Sequence, residues 1–208
     1  MPTDGHNAGA LPRPPAGSTS PAERPGSPLL IGMGSNLGDR AGALRRALLA
    51  LAGAGVDWEV VSSVWESEPF GLRPQPDFLN LVALGRVAAP ADAASARSLL
   101  SLLQSCERAL GRRPRKRWGP REIDLDLLAL GDLVLETADL VLPHPGIPER
   151  SFVLTPLVEI APSWRDPRSG WSARELASAL AAAPSPLSVR WFSPPPIEGQ
   201  RAPVSLAG

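Results

Sequence analysis

At 208 residues, with a formal net charge of zero and a single cysteine, the chain is sized for one well-buried domain and offers no general attraction to nucleic acid or to a membrane surface. Cys106 alone can form neither an internal disulfide framework nor a cysteine-rich zinc site, and its apolar helical surroundings mark it as a small core residue. No run reaches the ~20 apolar residues of a membrane span and the N-terminus lacks a basic-then-apolar order, which points to a cytoplasmic protein.

Met1 to Pro28 is rich in Pro, Gly, Ala and Ser and buries too little to offset the entropy of ordering, so it is expected to be a disordered arm. The folded unit is expected over 29–192, with a flexible Pro-rich tail over 193–208. PLLIGMGSN reads as a buried strand ending in glycine turns. Asp39 then caps a helix in which Leu44, Ala47, Leu48 and Leu51 recur at helical spacing, ended by Gly53 and Gly55. DWEVVSSVWESE alternates as one strand, PFGLRPQPD is a proline-rich loop, and FLNLVALGRVA is a second strand. A helix from about Ala91 to Leu110 carries Leu99, Leu103, Cys106 and Leu110 on one face and stops at Gly111. The basic segment RRPRKRWGPR, the strand EIDLDLLAL, a short LVL segment and the loop PHPGIPER follow. SFVLTPLVEIA is a helix in which Pro156 must sit near an end or make a kink, and SARELASALAAA is a final helix closing the domain. The order strand, helix, strand, strand, helix, strand is that of an α+β, ferredoxin-like βαββαβ sandwich with C-terminal additions.

Four groups of residues could carry chemistry. Asp124 and Asp126 alternate with leucines on a strand and would project from one face about 7 Å apart. A D-x-D strand commonly turns such residues to solvent, but Leu127 to Leu130 are apolar on both faces, so the strand is central and its carboxylates need a cation. Oxygen-only ligands suit Mg²⁺. Before that strand stand Arg112, Arg113, Arg115, Lys116, Arg117 and Arg121 around Trp118. Alone, such a run reads equally as a solvated loop or a nucleic-acid patch; beside metal-binding carboxylates it reads as a polyphosphate site. Lys116 is the only lysine and no Gly-Lys-Ser/Thr triplet exists, so that site is not a P-loop. Phe78 and Asn80 share a strand face, pairing an aromatic plane with an amide, which could equally be a core ring and a strand-end amide. In LPHPGIPERSF, His144 is the sole histidine outside the arm, and it stands near Arg150 and Phe152.

The stretches IGMGSNLGDR, SEPFGLRPQPDFLN, GRRPRKRWGPREIDLDLLALGD and LPHPGIPERSFVLTPLVEIAP together resemble the 6-hydroxymethyl-7,8-dihydropterin pyrophosphokinase family over about Leu30 to Pro162. RWGPR-x-x-D-x-D is the most specific of these matches. The resemblance implies a ferredoxin-like fold and transfer of pyrophosphate from ATP to the pterin's hydroxymethyl oxygen, releasing AMP. It implies that Asp124 and Asp126 hold two Mg²⁺ ions, and that Arg112 and Arg121 act on the phosphates while Trp118 helps close the intervening loop. Ser67, Phe70, Phe78, Asn80 and Phe152 would receive the pterin. Gln104, Glu107, Arg115, His144 and Arg150 would serve the ATP side. Two departures stand out: Arg112, Arg113, Pro114, Arg115 replaces an Arg-x-Arg pattern, so the second loop arginine is Arg113 or Arg115, and Gly146 stands where a basic residue is common. The implied partners are small molecules, with no nucleic acid or membrane and a monomeric chain. An RNA-binding module on a similar sheet, or a catalytically silent homologue, are the competing readings; acidic residues on a central strand disfavour the former.

Overall fold

A computed structural model of the chain describes residues 26–69, 74–115, 119–183 and 187–197. The elements in order are β1 (Ser27–Ser35), α1 (Arg40–Gly53), β2 (Asp57–Val61), β3 (Val64–Ser67), β4 (Phe78–Val87), α2 (Ala93–Ala109), β5 (Asp124–Leu130), β6 (Leu135–Glu136), β7 (Val141–Leu142), α3 (Ser151–Ile160), α4 (Ala173–Ala181) and β8 (Val189–Ser193). The main sheet runs β5-β1-β4-β3-β8, with β2 also paired to β4, and all of its pairings are antiparallel. The fold is α+β.

Strand alternation divides the core in two. Leu29, Ile31 and Met33 of β1, Leu79, Leu81 and Ala83 of β4, and Leu125 and Leu127 of β5 meet Leu44, Leu48 and Leu51 of α1 and Leu99, Leu103 and Cys106 of α2. Leu30, Val82 and Leu128 on the opposite face meet Val153, Leu154, Leu157 and Ile160 of α3 and Leu176 of α4. Local chemistry sets the helix starts. Asp39 accepts from the Gly42 N–H and Asp92 from the Ser95 N–H, and Ser172 with Glu175 forms a capping box.

Several expectations need correction. β5, expected to be central, lies at the edge of the main sheet beside β1, and its leucines are covered because helices pack on both of its faces. Ser27 and Pro28, expected in the arm, are the first residues of β1, while residues 1–25 lie outside the described ones. DWEVVSSVWESE is two strands, broken at Ser62 and Ser63. The buried Ser62 side chain accepts from the Val82 N–H and donates to the Ser63 carbonyl, so a hydroxyl takes over part of the ladder. Glu159 of α3 fixes the break by accepting from the Ser63 N–H, the Ser63 hydroxyl and Trp65 Nε1. The LVL region is the two-stranded β6–β7 ribbon. Of the two places expected for Pro156, the helix end is excluded: the residue is buried inside α3. The final helix does not close the domain: β8 follows it and extends the sheet beyond β3.

Candidate active site

On the α3 face the apolar layer ends at Leu30, Val82 and Leu128, with Gly32 already level with Val82. Along that face the same alternation brings up Gly32 and Gly34 from β1, Asn80 and Phe78 from β4, and Asp126 and Asp124 from β5. At Gly34 the middle strand offers no side chain and its neighbours Asn80 and Asp124 are polar, so the apolar packing against the helix layer stops. A cavity of about 250 Å³ opens there, lined by these residues with Ser67, Arg121, Arg150 and Phe152 among others. Asn80, Gly34 and Asp124 pair in register across three neighbouring strands, which sets the amide and the carboxylate about 10 Å apart over a glycine floor. The two aspartates do share a face.

Each carboxylate already holds arginine. Asp124 Oδ1 accepts from Arg112 Nη1 at 2.9 Å and also from Arg121 Nη1, while Arg150 Nη1 reaches Asp126 Oδ2 at 3.2 Å. Burial pushes the Asp126 carboxyl above its usual range and the neighbouring Asp124 charge adds to this, outweighing His144, Arg150 and Arg121. Burial likewise lowers the His144 imidazole, against the pull of Asp126. Glu107, in the last turn of α2, is buried and its carboxyl is raised by that burial. Its Oε1 accepts from the Leu125 N–H at 2.8 Å and from Arg112, so it pins β5 to α2 and aims Arg112 at Asp124.

Ser67 Oγ accepts from Asn80 Nδ2 at 2.9 Å, which orients the amide. Arg150 precedes α3, and its guanidinium lies 5.8 Å from the Phe152 ring centroid. His144 Nδ1 accepts from the Gly146 N–H at 3.0 Å; His144 stands beside Asp126 but does not line the cavity. A Cβ at Gly146 would lie 2.6 Å from Arg150 Nε, so Arg150 occupies the space that a side chain at 146 would need. Of the other residues expected on the ATP side, Arg115 pairs with Glu122 at 2.7 Å and Gln104 is exposed on α2. Phe70 and Trp118 lie outside the described residues.

Sequence reasoning took the glycines of GMGS for turns ending the strand, whereas Gly32 and Gly34 lie inside β1, and it passed over Asn36. A Cβ at Gly34 would fall 3.2 Å from Asn80 Oδ1 and 3.5 Å from Phe78 Cδ1, so a side chain there would occupy the slot between amide and carboxylate. Two glycines at i and i+2 in a strand signal a close approach over one face, and that signal was present in GMGS. Asn36 is 1 % exposed. Its Nδ2 donates to Gln75 Oε1 and to the Pro76 carbonyl, and its Oδ1 accepts from the Arg121 N–H at 2.7 Å.

Paired carboxylates, three arginines and an oriented amide around one cavity of an α+β sheet define a phosphate-transferring enzyme. The family model for 7,8-dihydro-6-hydroxymethylpterin-pyrophosphokinase (HPPK) matches residues 30–162. The chain is 44% identical over 142 residues to the 2-amino-4-hydroxy-6-hydroxymethyldihydropteridine pyrophosphokinase of Synechocystis sp., covering 68% of this chain and 70% of that one. It is 43% identical over 132 residues to the enzyme of the same name from Bacillus subtilis, covering 62% and 75%. Among solved structures, an HPPK-DHPS in complex with substrates aligns with a TM-score of 0.57 at 12% identity, over 74% of this chain and 43% of that one. A Plasmodium falciparum HPPK-DHPS A437G with pteroate aligns with a TM-score of 0.55 at 13% identity, over 76% and 43%. The present chain spans less than half the length of those two, and the likeness to them is one of fold. This chain belongs to the 7,8-dihydro-6-hydroxymethylpterin-pyrophosphokinase family.

Proposed function

We propose that the row Asn80, Gly34, Asp124 is where this chain performs its family's reaction. The chain is an ATP-using, Mg²⁺-dependent pyrophosphokinase of folate biosynthesis: it moves pyrophosphate from ATP to the hydroxymethyl oxygen of 6-hydroxymethyl-7,8-dihydropterin and releases AMP. The observation that carries the siting is the register itself, because a flat ring read at one edge by Asn80 and lying over Gly34 directs its far substituent toward Asp124. Phe78 and Phe152 supply apolar faces for that ring, and Ser67 sets the orientation of the amide.

The donor set fits Mg²⁺. Two carboxylates project from one strand face, and oxygen donors of this kind suit Mg²⁺. Asp124 and Asp126 would hold the metal, as two ions on the family's pattern. Mg²⁺ bound there would supply charge neutralisation for the phosphates and a lowered pKa for the attacking hydroxyl. Arg112 and Arg121, held on Asp124, stand where the transferred phosphates must pass, and Glu107 keeps Arg112 aimed there. Arg150 and His144 cover the Asp126 side. The main sheet and its two helices read as a ferredoxin-like βαββαβ unit, with β2 and β3 together as its second strand; the strand order supports this.

Incubating the chain with ATP, Mg²⁺ and the hydroxymethyl-dihydropterin should yield AMP and the pterin diphosphate in equal amounts. A chain that binds RNA tightly without Mg²⁺ and makes no AMP would sink the reading. Gly34→Val should weaken pterin binding by about tenfold or more while an ATP analogue binds within about twofold of wild type. Calorimetric titration of each ligand checks this, and unchanged pterin affinity would remove Gly34 from the floor of the site.

A further inference from the structure

The wall that carries Ser67 and Phe78 is braced from behind. Ser67 and Phe78 are register partners on β3 and β4, and the residues beside them, Glu66 and Asp77, meet two arginines. Arg40, the first residue of α1, uses one nitrogen for both: Nη1 donates to Glu66 Oε1 at 2.9 Å and to the Asp77 carbonyl at 2.7 Å. Arg190 of β8 repeats the pattern. Its Nη2 and Nε reach Glu66 Oε2 at 2.7 and 3.0 Å, and Nη2 lies 3.7 Å from Asp77 Oδ2. Arg40 in turn sits 5.9 Å from the ring centroid of Phe192, also on β8. Burial works against the charge of Glu66, whose side chain is 12% exposed, but the hydrogen bonds from Arg190 and Arg40 outweigh it and hold the carboxyl below its usual range.

Each arginine therefore touches both ends of the connection between β3 and β4. Exposed ion pairs add little to stability, and Arg190 is 69% exposed, so global stability is a poor account of the arrangement. What the two arginines do fix is the spacing between Glu66 and Asp77, and with it the placement of Ser67, Asn80 and Phe78.

We propose that Arg40 and Arg190, acting through Glu66, are positioning residues for the pterin wall, and that β8 serves the site by delivering Arg190. This rests on the pterin site proposed above. Neither arginine lines the cavity of that site, so their loss weakens pterin binding and spares ATP binding and the chemical step.

The test uses the full chain with Arg190→Met, Arg190→Lys, Glu66→Gln and Arg40→Met. Dissociation constants are measured separately for the hydroxymethyl-dihydropterin and for a non-hydrolysable ATP analogue with Mg²⁺, together with kcat, KM and the thermal midpoint. Arg190→Met should raise the pterin Kd and KM about two- to fivefold and Glu66→Gln about tenfold, with ATP-analogue binding and kcat held within about twofold. Arg190→Lys should recover part of the loss. Unchanged pterin affinity in both Arg190→Met and Glu66→Gln overturns the proposal, as does equal weakening of both ligands. If Arg40→Met fails to fold, the exposed Arg190 series still decides. A wild-type chain that binds no pterin overturns this proposal and the siting together, whereas tight pterin binding without AMP formation overturns only the reaction and leaves the positioning role to be scored by binding.

Discussion

Asp124→Ala and Asp126→Ala should each lower turnover on the order of 10²- to 10³-fold while the chain stays folded. The two carboxylates are the paired acidic groups in the cavity suited to a divalent cation, and neither is a necessary part of the hydrophobic layers. Asp126 gives the sharper test. Burial and the adjacent Asp124 both oppose its charge, so Asp126→Asn should remove metal binding while the chain stays folded. Asp124→Asn keeps an oxygen for Arg112 and Arg121 but removes the charge, separating metal binding from arginine anchoring. Thermal melts and AMP formation measured side by side decide the matter: a large drop in melting temperature accompanying lost turnover would assign the pair a structural role.

Arg121→Ala and Phe152→Ala should fail in opposite ways. Removing the Arg121 guanidinium costs charge-assisted hydrogen bonds to phosphate, which should reduce kcat/KM for ATP about ten- to hundredfold with little change in pterin affinity. Removing the Phe152 ring strips one apolar face from the slot and should raise the pterin Kd by about tenfold while ATP binding is preserved. Binding measured for each ligand alone, then kinetics, separates the two. Parallel losses in both ligands for both variants would mean that these side chains shape the cavity as a whole.

Much of the site was legible because it is written in strand alternation. Asp124 and Asp126, and Phe78 and Asn80, could be set on one face from spacing alone, and the leucines after Asp126 said that the strand was covered. The helices were equally readable from Asp39, Gly111 and the leucine spacing. What escaped had long-range causes. The break at Ser62 and Ser63 depends on Glu159, more than ninety residues away, accepting from Ser63 and Trp65. The strand after α4 is held by pairing to β3 and by Arg190, neither of which leaves a local pattern in SVRWFS. Arg115 could not be sorted from its neighbours in a basic run until its partner, Glu122, was known.

Asn36 has a consequence for anyone altering this protein. One buried amide is shared between Gln75 and Pro76 on one side and the backbone of Arg121 on the other, so the segment before β4 and the segment before β5 are measured against the same ruler. Inserting or deleting a residue in either segment shifts the partners that the amide needs in both. Transplanting one of these segments from a homologue with a different spacing would therefore misplace the other, and chimaeras of this family should exchange the two segments as a set.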